Sequence, residues 1–112
     1  MRPEVLKYLS DALDCAIAIQ EAVKGKEFSD FQDERILRSA VYHEFSIIGE
    51  ALTQMRRLDE TVFEKISESR KIVGFRNQII HGYQKIDDTV TWQIIQDKLP
   101  ILRKELEQLL AK

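Results

Sequence analysis

Only four glycines and two prolines interrupt the 112 residues, and that shortage constrains the fold more than any other feature. Glycine and proline are the strongest local punctuators of regular structure, so the chain must run in long elements. The apolar residues say of which kind. Leu6, Leu9, Leu13, Ala16, Ile17 and Val23 recur mainly at spacings of three and four, the period of one helix face rather than the alternation of a strand. A second stripe runs through Leu37, Ala40, Val41, Phe45, Ile48, Ala51, Leu52 and Met55. Ile72, Val73, Phe75, Ile79 and Ile80 form a third. Val90, Ile94, Ile95, Leu99, Leu102, Leu106, Leu109 and Leu110 form a fourth.

The punctuation fits these stripes. Pro3 suits the first turn of a helix, where a missing N–H costs nothing, and Gly25 suits a C-cap. Asp33, Asp59, Ser67 or Ser69, and Asp87 or Asp88 offer side chains that can cap helix starts, and Gly82 ends the third stripe. Glu27–Gln32 reads as a connection anchored by Phe28 and Phe31, and a short helical piece spans Val62, Phe63 and Ile66. Pro100 lies inside the last stripe and should kink or divide that helix. No repeat, low-complexity tract or linker occurs. The expectation is one all-α domain over residues 1–112, an antiparallel bundle of four to five helices.

Composition narrows the class. At 44% hydrophobic and 32% charged residues, the chain is neither disordered nor a membrane protein. The lone Cys15 cannot form an internal disulfide, and Met1-Arg2-Pro3-Glu4 lacks the apolar stretch of a signal peptide, so a cytoplasmic location is expected. A net charge of -2 excludes a whole-molecule basic field for gripping polyanions. The charge is uneven, however. Residues 1–54 carry six Lys and Arg against ten Asp and Glu, residues 55–85 seven against four, and residues 86–112 four against five. A cationic surface must therefore be local, carried by Arg56, Arg57, Arg70, Lys71, Arg76 and Lys85, although such charges are also ordinary solvated helix faces.

The chemistry-bearing stretch is Gly74-Phe75-Arg76-Asn77-Gln78-Ile79-Ile80-His81-Gly82-Tyr83. With Arg76 at zero on a helical wheel of about 100° per residue, Asn77 falls near 100°, His81 near 140° and Tyr83 near -20°. Ile72, Phe75 and Ile79 supply the arc that faces the core. A guanidinium can hold a phosphate through paired hydrogen bonds, and an imidazole titrating near neutrality can take or give a proton. RNA supplies its own nucleophile, the 2′-OH, so no metal or cofactor is required. One histidine cannot be both base and acid in one step, whereas a two-fold dimer would bring two histidines and two arginines to one cleft. His43 lies off the apolar stripe and reads as a surface or interface residue. Cys15 reads as a small apolar filler, and Trp92 as core or interface.

These residues resemble a known family. Arg76-Asn77-Gln78-Ile79-Ile80-His81-Gly82-Tyr83 matches the Arg-x4-His-x-Tyr signature of HepT-like proteins in the HEPN superfamily. Ile47-Ile48-Gly49-Glu50-Ala51-Leu52 is similar to the Ile-Gly-Glu-Ala segment of that family's second helix. Trp92 and Leu99-Pro100-Ile101-Leu102 resemble its closing helix. One departure is visible: many relatives approach the motif through a turn with Pro and Trp, whereas Glu64–Lys71 is polar and charged. The resemblance implies a homodimeric helical bundle, the toxin of a prokaryotic toxin–antitoxin pair, acting as a metal-independent ribonuclease. It implies an MNT-type nucleotidyltransferase antitoxin as partner. Arg76, Asn77 and His81 would be catalytic, Tyr83 the tyrosine that the antitoxin modifies with AMP, and Glu50 a supporting residue. The alternative is a non-catalytic module that binds a nucleotidyltransferase or nucleic acid without cleaving it.

Overall fold

The computed structural model describes residues 1–82 and 86–111, and every element among them is helical. In chain order these are α1 (Pro3–Val23), α2 (Phe28–Asp33), α3 (Arg35–Leu58), α4 (Glu60–Glu64), α5 (Ser69–Gly82), α6 (Asp88–Gln93), a π-helical turn (Ile94–Lys98) and α7 (Leu99–Leu110). Four rods carry the bundle: α1, α3, α5 and the continuous run from α6 through α7. α1 packs on α3 and α7, and α5 packs principally on α3.

The stripes read from the sequence build the core, with local shifts. Leu9, Ala16, Ile19, Val41, Phe45, Ile48, Leu52, Met55, Ile72, Leu99, Leu102 and Leu106 are buried. In α1 the buried edge runs through Val5 and Ala12, while Leu6 is exposed; in α3, Ala40 is exposed and Leu37 half-buried. Phe45 of α3 meets Phe75 of α5 edge to face at 5.1 Å. Such a pair adds about 0.5–1.5 kcal/mol beyond area burial, and it seats the motif helix on α3.

Several boundaries match expectation. Pro3 is at the first helical position of α1, and Gly25 takes φ +76° just beyond that helix. The Asp59 carboxylate accepts the Val62 N–H at 3.1 Å, and Asp87 accepts the Thr89 N–H at 2.8 Å. Three details differ. The stretch expected as a plain connection folds as α2, because Glu27 and Asp30 form a reciprocal capping box that satisfies two otherwise orphaned donors. Asp33 closes α2 rather than opening α3, whose N-cap is Glu34. Pro100 interrupts its run with a π-helical turn just before it rather than with a break in the chain's helical course. The Leu99 N–H bonds to Ile94 O, five residues back, and this wide turn lets the helix continue into the proline that cannot donate.

The polar approach to α5 is ordered by hydrogen bonds. Ser69 is buried and donates through Oγ to Phe63 O at 3.1 Å. Glu105 of α7 accepts from both the N–H and the hydroxyl of Ser67, at 3.1 and 2.9 Å. Beyond the motif, Tyr42 Oη donates to Asp88 Oδ1 at 2.9 Å and lies 3.0 Å from the buried Thr91 hydroxyl. The approach to the motif helix is thus tied to α7, and α6 is tied to α3. No helix among the described residues is long and apolar enough to cross a membrane.

Candidate active site

The site centres on the crossing of α3 and α5. Ile72 and Phe75 are buried there and Ile79 is half-buried, as the wheel required. Gly49 of α3 sits directly against the stem of Arg76. A β-carbon placed at position 49 would lie 3.0 Å from Arg76 Cδ and closer still to its Cβ and Cγ. Only a residue without a side chain allows α5 this near, so Gly49 fixes where the guanidinium emerges.

The next residue on α3 then holds that guanidinium. Glu50 Oε2 accepts from Arg76 Nη2 at 2.6 Å, and Glu50 Oε1 accepts from Gln54 Nε2 at 2.7 Å. Asn77 Oδ1 accepts from Arg76 Nη1 at 3.1 Å. The result is one chain of contacts, Gln54–Glu50–Arg76–Asn77. The Arg76 side chain is 21% exposed and that of Glu50 48%, so the pair lies at the surface with its stem in the helix crossing. Arg76 Nε is buried without a hydrogen-bond partner. A guanidinium has five N–H donors. With one contact on each Nη, one hydrogen on each remains to meet a doubly accepting anion such as a phosphate.

His81 is exposed and makes no recorded hydrogen bond to Arg76, Asn77 or Glu50 among the described residues. The cause is angular. Arg76 points toward α3, and His81 lies about 140° further round the same helix, toward solvent. One chain therefore presents the cation and the imidazole on different sides of α5. Tyr83 lies outside the described residues. His43 is exposed on α3, two turns before Glu50, in a shallow groove shared with Tyr8 of α1. Cys15 is buried, and burial, with Glu44 nearby, pushes its thiol up to about 12; it behaves as an inert filler. Trp92 packs on Phe28 and Phe31 at 6.3 and 5.6 Å. Among the described residues no three His, Cys, Asp or Glu side chains cluster as metal ligands.

The local positive charge is smaller than the sequence count suggests. Arg56 pairs with Glu60 at 3.3 Å and Arg70 pairs with Glu64, and both guanidinium groups lie over the Phe63 ring. From the sequence, Gly49 entered only through the Ile-Gly-Glu-Ala resemblance, with no role given to it, and Gln54 was not singled out. A glycine inside an apolar helical stripe and an amide four residues after Glu50 were the available signals.

This arrangement occurs in a chain whose residues 12–109 match the family model described as Ribonuclease HepT-like. The chain belongs to the HepT-like family. It is 32% identical to "Putative RNase MJ1380" of Methanocaldococcus jannaschii, over 93% of this chain and 94% of that protein. It is also 32% identical to "Putative RNase TTE0752" of Caldanaerobacter subterraneus subsp. tengcongensis, over 94% and 93%. It is 28% identical to "Probable ribonuclease HepT" of Thermococcus cleftensis, over 91% and 92%. No solved structure matches the chain significantly. HepT-like membership accords with the all-helical bundle and places the motif on its α5.

Proposed function

We propose that this HepT-like protein is a ribonuclease whose active site is shared between two copies of the chain. The carrying observation is the clamped Arg76. Its stem is seated on Gly49, its fork is held by Glu50 and Asn77, and donors remain on both Nη atoms. Such a pre-positioned cation suits a scissile phosphate, where it stabilises the charge added in the transition state. The 2′-OH of RNA attacks phosphorus and gives its proton to one imidazole. The 5′-oxygen leaves and takes a proton from a second proton donor, and the product is a 2′,3′-cyclic phosphate. No metal enters that sequence.

A second His81, from a partner copy, supplies the missing acid or base. The exposure of His81 and its angular separation from Arg76 support this: one copy's imidazole is free to face another copy's guanidinium. Two-fold symmetry then brings the motifs together. In this reading the protein is the toxin of a prokaryotic toxin–antitoxin pair in the cytoplasm. Its partner is an MNT-type nucleotidyltransferase that transfers AMP from ATP to the Tyr83 hydroxyl and releases pyrophosphate. The added phosphate near Arg76 would repel RNA.

The test is cleavage of total cellular RNA by freshly purified protein in the presence of a chelator. The wild type should cut, and Arg76→Ala and His81→Ala should not. Undiminished cutting by His81→Ala would remove the assignment. A wild type that binds RNA or the nucleotidyltransferase without cutting would make the protein a binding module instead.

A further inference from the structure

The α5 rod rests on α3 but does not close onto the rod formed by α6, the π-helical turn and α7. Between them lies an open groove of about 410 Å³. Its α5 wall is Lys71, Gly74 and Gln78; Gln93, Ile94 and Lys98 face them, and the largely buried Phe75 lies at the base. Gly74, Gln78 and His81 are spaced i, i+4 and i+7, so they form one stripe along α5. His81 stands about 10.5 Å beyond Gly74 along the helix axis. The groove therefore leads to the motif histidine.

Gly74 is the feature that points to an occupant. Glycine is, apart from proline, the least favourable residue inside a helix. Gly49 repays that cost by admitting Arg76. Gly74 has neither a positive φ nor a close neighbour: a β-carbon there would meet nothing within 4 Å. The fold does not need a bare backbone at this position, and the remaining physical use of one is close approach of a ligand to the helix.

We propose that this groove is a subsite for single-stranded RNA, seating the strand next to the phosphate cleaved at His81. The proposal rests on the ribonuclease reading above. Lys71 is exposed and has no ion pair among the described residues, and Lys98 is only loosely held by Glu68 at 3.4 Å. Both can meet phosphate oxygens. Gln78 and Gln93, one on each wall and both exposed, present amides that donate and accept, as base edges and the 2′-hydroxyl require. The ribose-phosphate chain passes over Gly74, where a side chain would obstruct it. The one carboxylate in the lining is Asp97, which accepts from base amino groups.

The experiment uses the full chain with a fluorescent 2′-O-methyl RNA of about 12 nucleotides, within the usual span of a single-strand site, which binds but cannot be cut. Affinity is read by anisotropy, and oligomeric mass by sedimentation. A β-carbon at position 74 meets nothing within 4 Å, so Gly74→Leu should project into the groove and weaken binding about fivefold or more, with helix content and mass unchanged. Lys71→Glu should weaken binding and flatten its salt dependence by about one phosphate contact, while Lys104→Glu on the exposed side of α7 should leave affinity unchanged. Wild-type affinity in Gly74→Leu would overturn the subsite, as would a change in its sedimentation mass, which would assign the groove to a second copy. The parent reading fails separately. A wild type that binds this RNA through the groove yet never cuts unmodified RNA defeats the ribonuclease and leaves the subsite. Normal cleavage kinetics in Gly74→Leu defeat the subsite and leave the ribonuclease. A wild type that neither binds this RNA nor cuts unmodified RNA defeats both.

Discussion

The same substitution at two helix glycines should have opposite effects. At position 49 an added β-carbon would lie 3.0 Å from Arg76 Cδ and nearer to Cβ and Cγ. Carbon contacts settle at about 3.5–4.0 Å, so α5 must withdraw from α3 by at least about 0.5–1 Å. Overpacking of this kind costs about 1–3 kcal/mol, and here the atoms that must yield belong to the base of a side chain, which cannot swing aside. Better helix propensity returns about 0.8–1.0 kcal/mol, leaving Gly49→Ala destabilised by up to about 2 kcal/mol, at the upper end because the clashing atoms cannot swing aside. At position 74 nothing opposes the substitution, and Gly74→Ala should gain most of that same propensity term. For a chain near this size 1 kcal/mol moves Tm by about 4–8 °C. Calorimetry should therefore show Gly49→Ala melting well below the wild type and Gly74→Ala a few degrees above it. Catalysis should follow the geometry, because displacing a positioned group by about 1 Å can cost about 100-fold: Gly49→Ala loses kcat. Equal melting points for the two variants, or full kcat in Gly49→Ala, would refute the view that Gly49 sets the position of Arg76.

Glu50→Ala should lower kcat about tenfold by releasing the Arg76 fork while costing under about 1 kcal/mol of stability, since the pair is half-exposed; Glu50→Gln, which keeps a bond to Nη2, should lose less, as steady-state kinetics and denaturant titration would show. His81→Ala should abolish cleavage with little change in melting temperature, because the side chain is exposed. Tyr42→Phe should cost about 0.5–1.5 kcal/mol, the net worth of an ordinary hydrogen bond, read as a lower urea midpoint. Burial, with Asp88 as acceptor, pushes the Tyr42 hydroxyl up to about 12. Between pH 10 and 12 the unfolded chain therefore loses that proton while the folded chain keeps it, so stability falls as pH rises. Tyr42→Phe should make that alkaline decline shallower, and an identical slope would contradict the stated environment.

What the sequence made legible depended on distance along the chain. The four rods followed from apolar spacing, and Asp59, Asp87 and Gly25 marked boundaries because capping and left-handed turns are settled within a few residues. The octet Arg76–Tyr83 placed the candidate site on one helix by the same local logic. What escaped was set by partners far away in sequence. Gly49 stands in the Ile-Gly-Glu-Ala segment, but its purpose shows only when Arg76 is found against it. Arg56 and Arg70 counted as free positive charge until Glu60 and Glu64 were found beside them. The six residues of α2 are too few to show a helical period, and their capping box uses two acidic residues in place of the hydroxyl residue that usually signals it. Pro100 announced a disturbance correctly. That it became a wide turn depended on Leu99 bonding back to Ile94, which no propensity encodes.

The shared-site claim is tested most directly by mixing the wild type with His81→Ala, which should be inactive alone. After co-refolding or subunit exchange, a mixed pair holds only one His81, whereas the shared site needs two in one cleft. Mixed pairs should therefore be inactive, and an equal mixture should keep only about one quarter of the activity of the same amount of wild type, the share of pairs with two intact copies. A mixture that forms mixed pairs, verified by mass, yet keeps about half of that activity would show that each chain cuts with its own groups, and the shared site would be wrong.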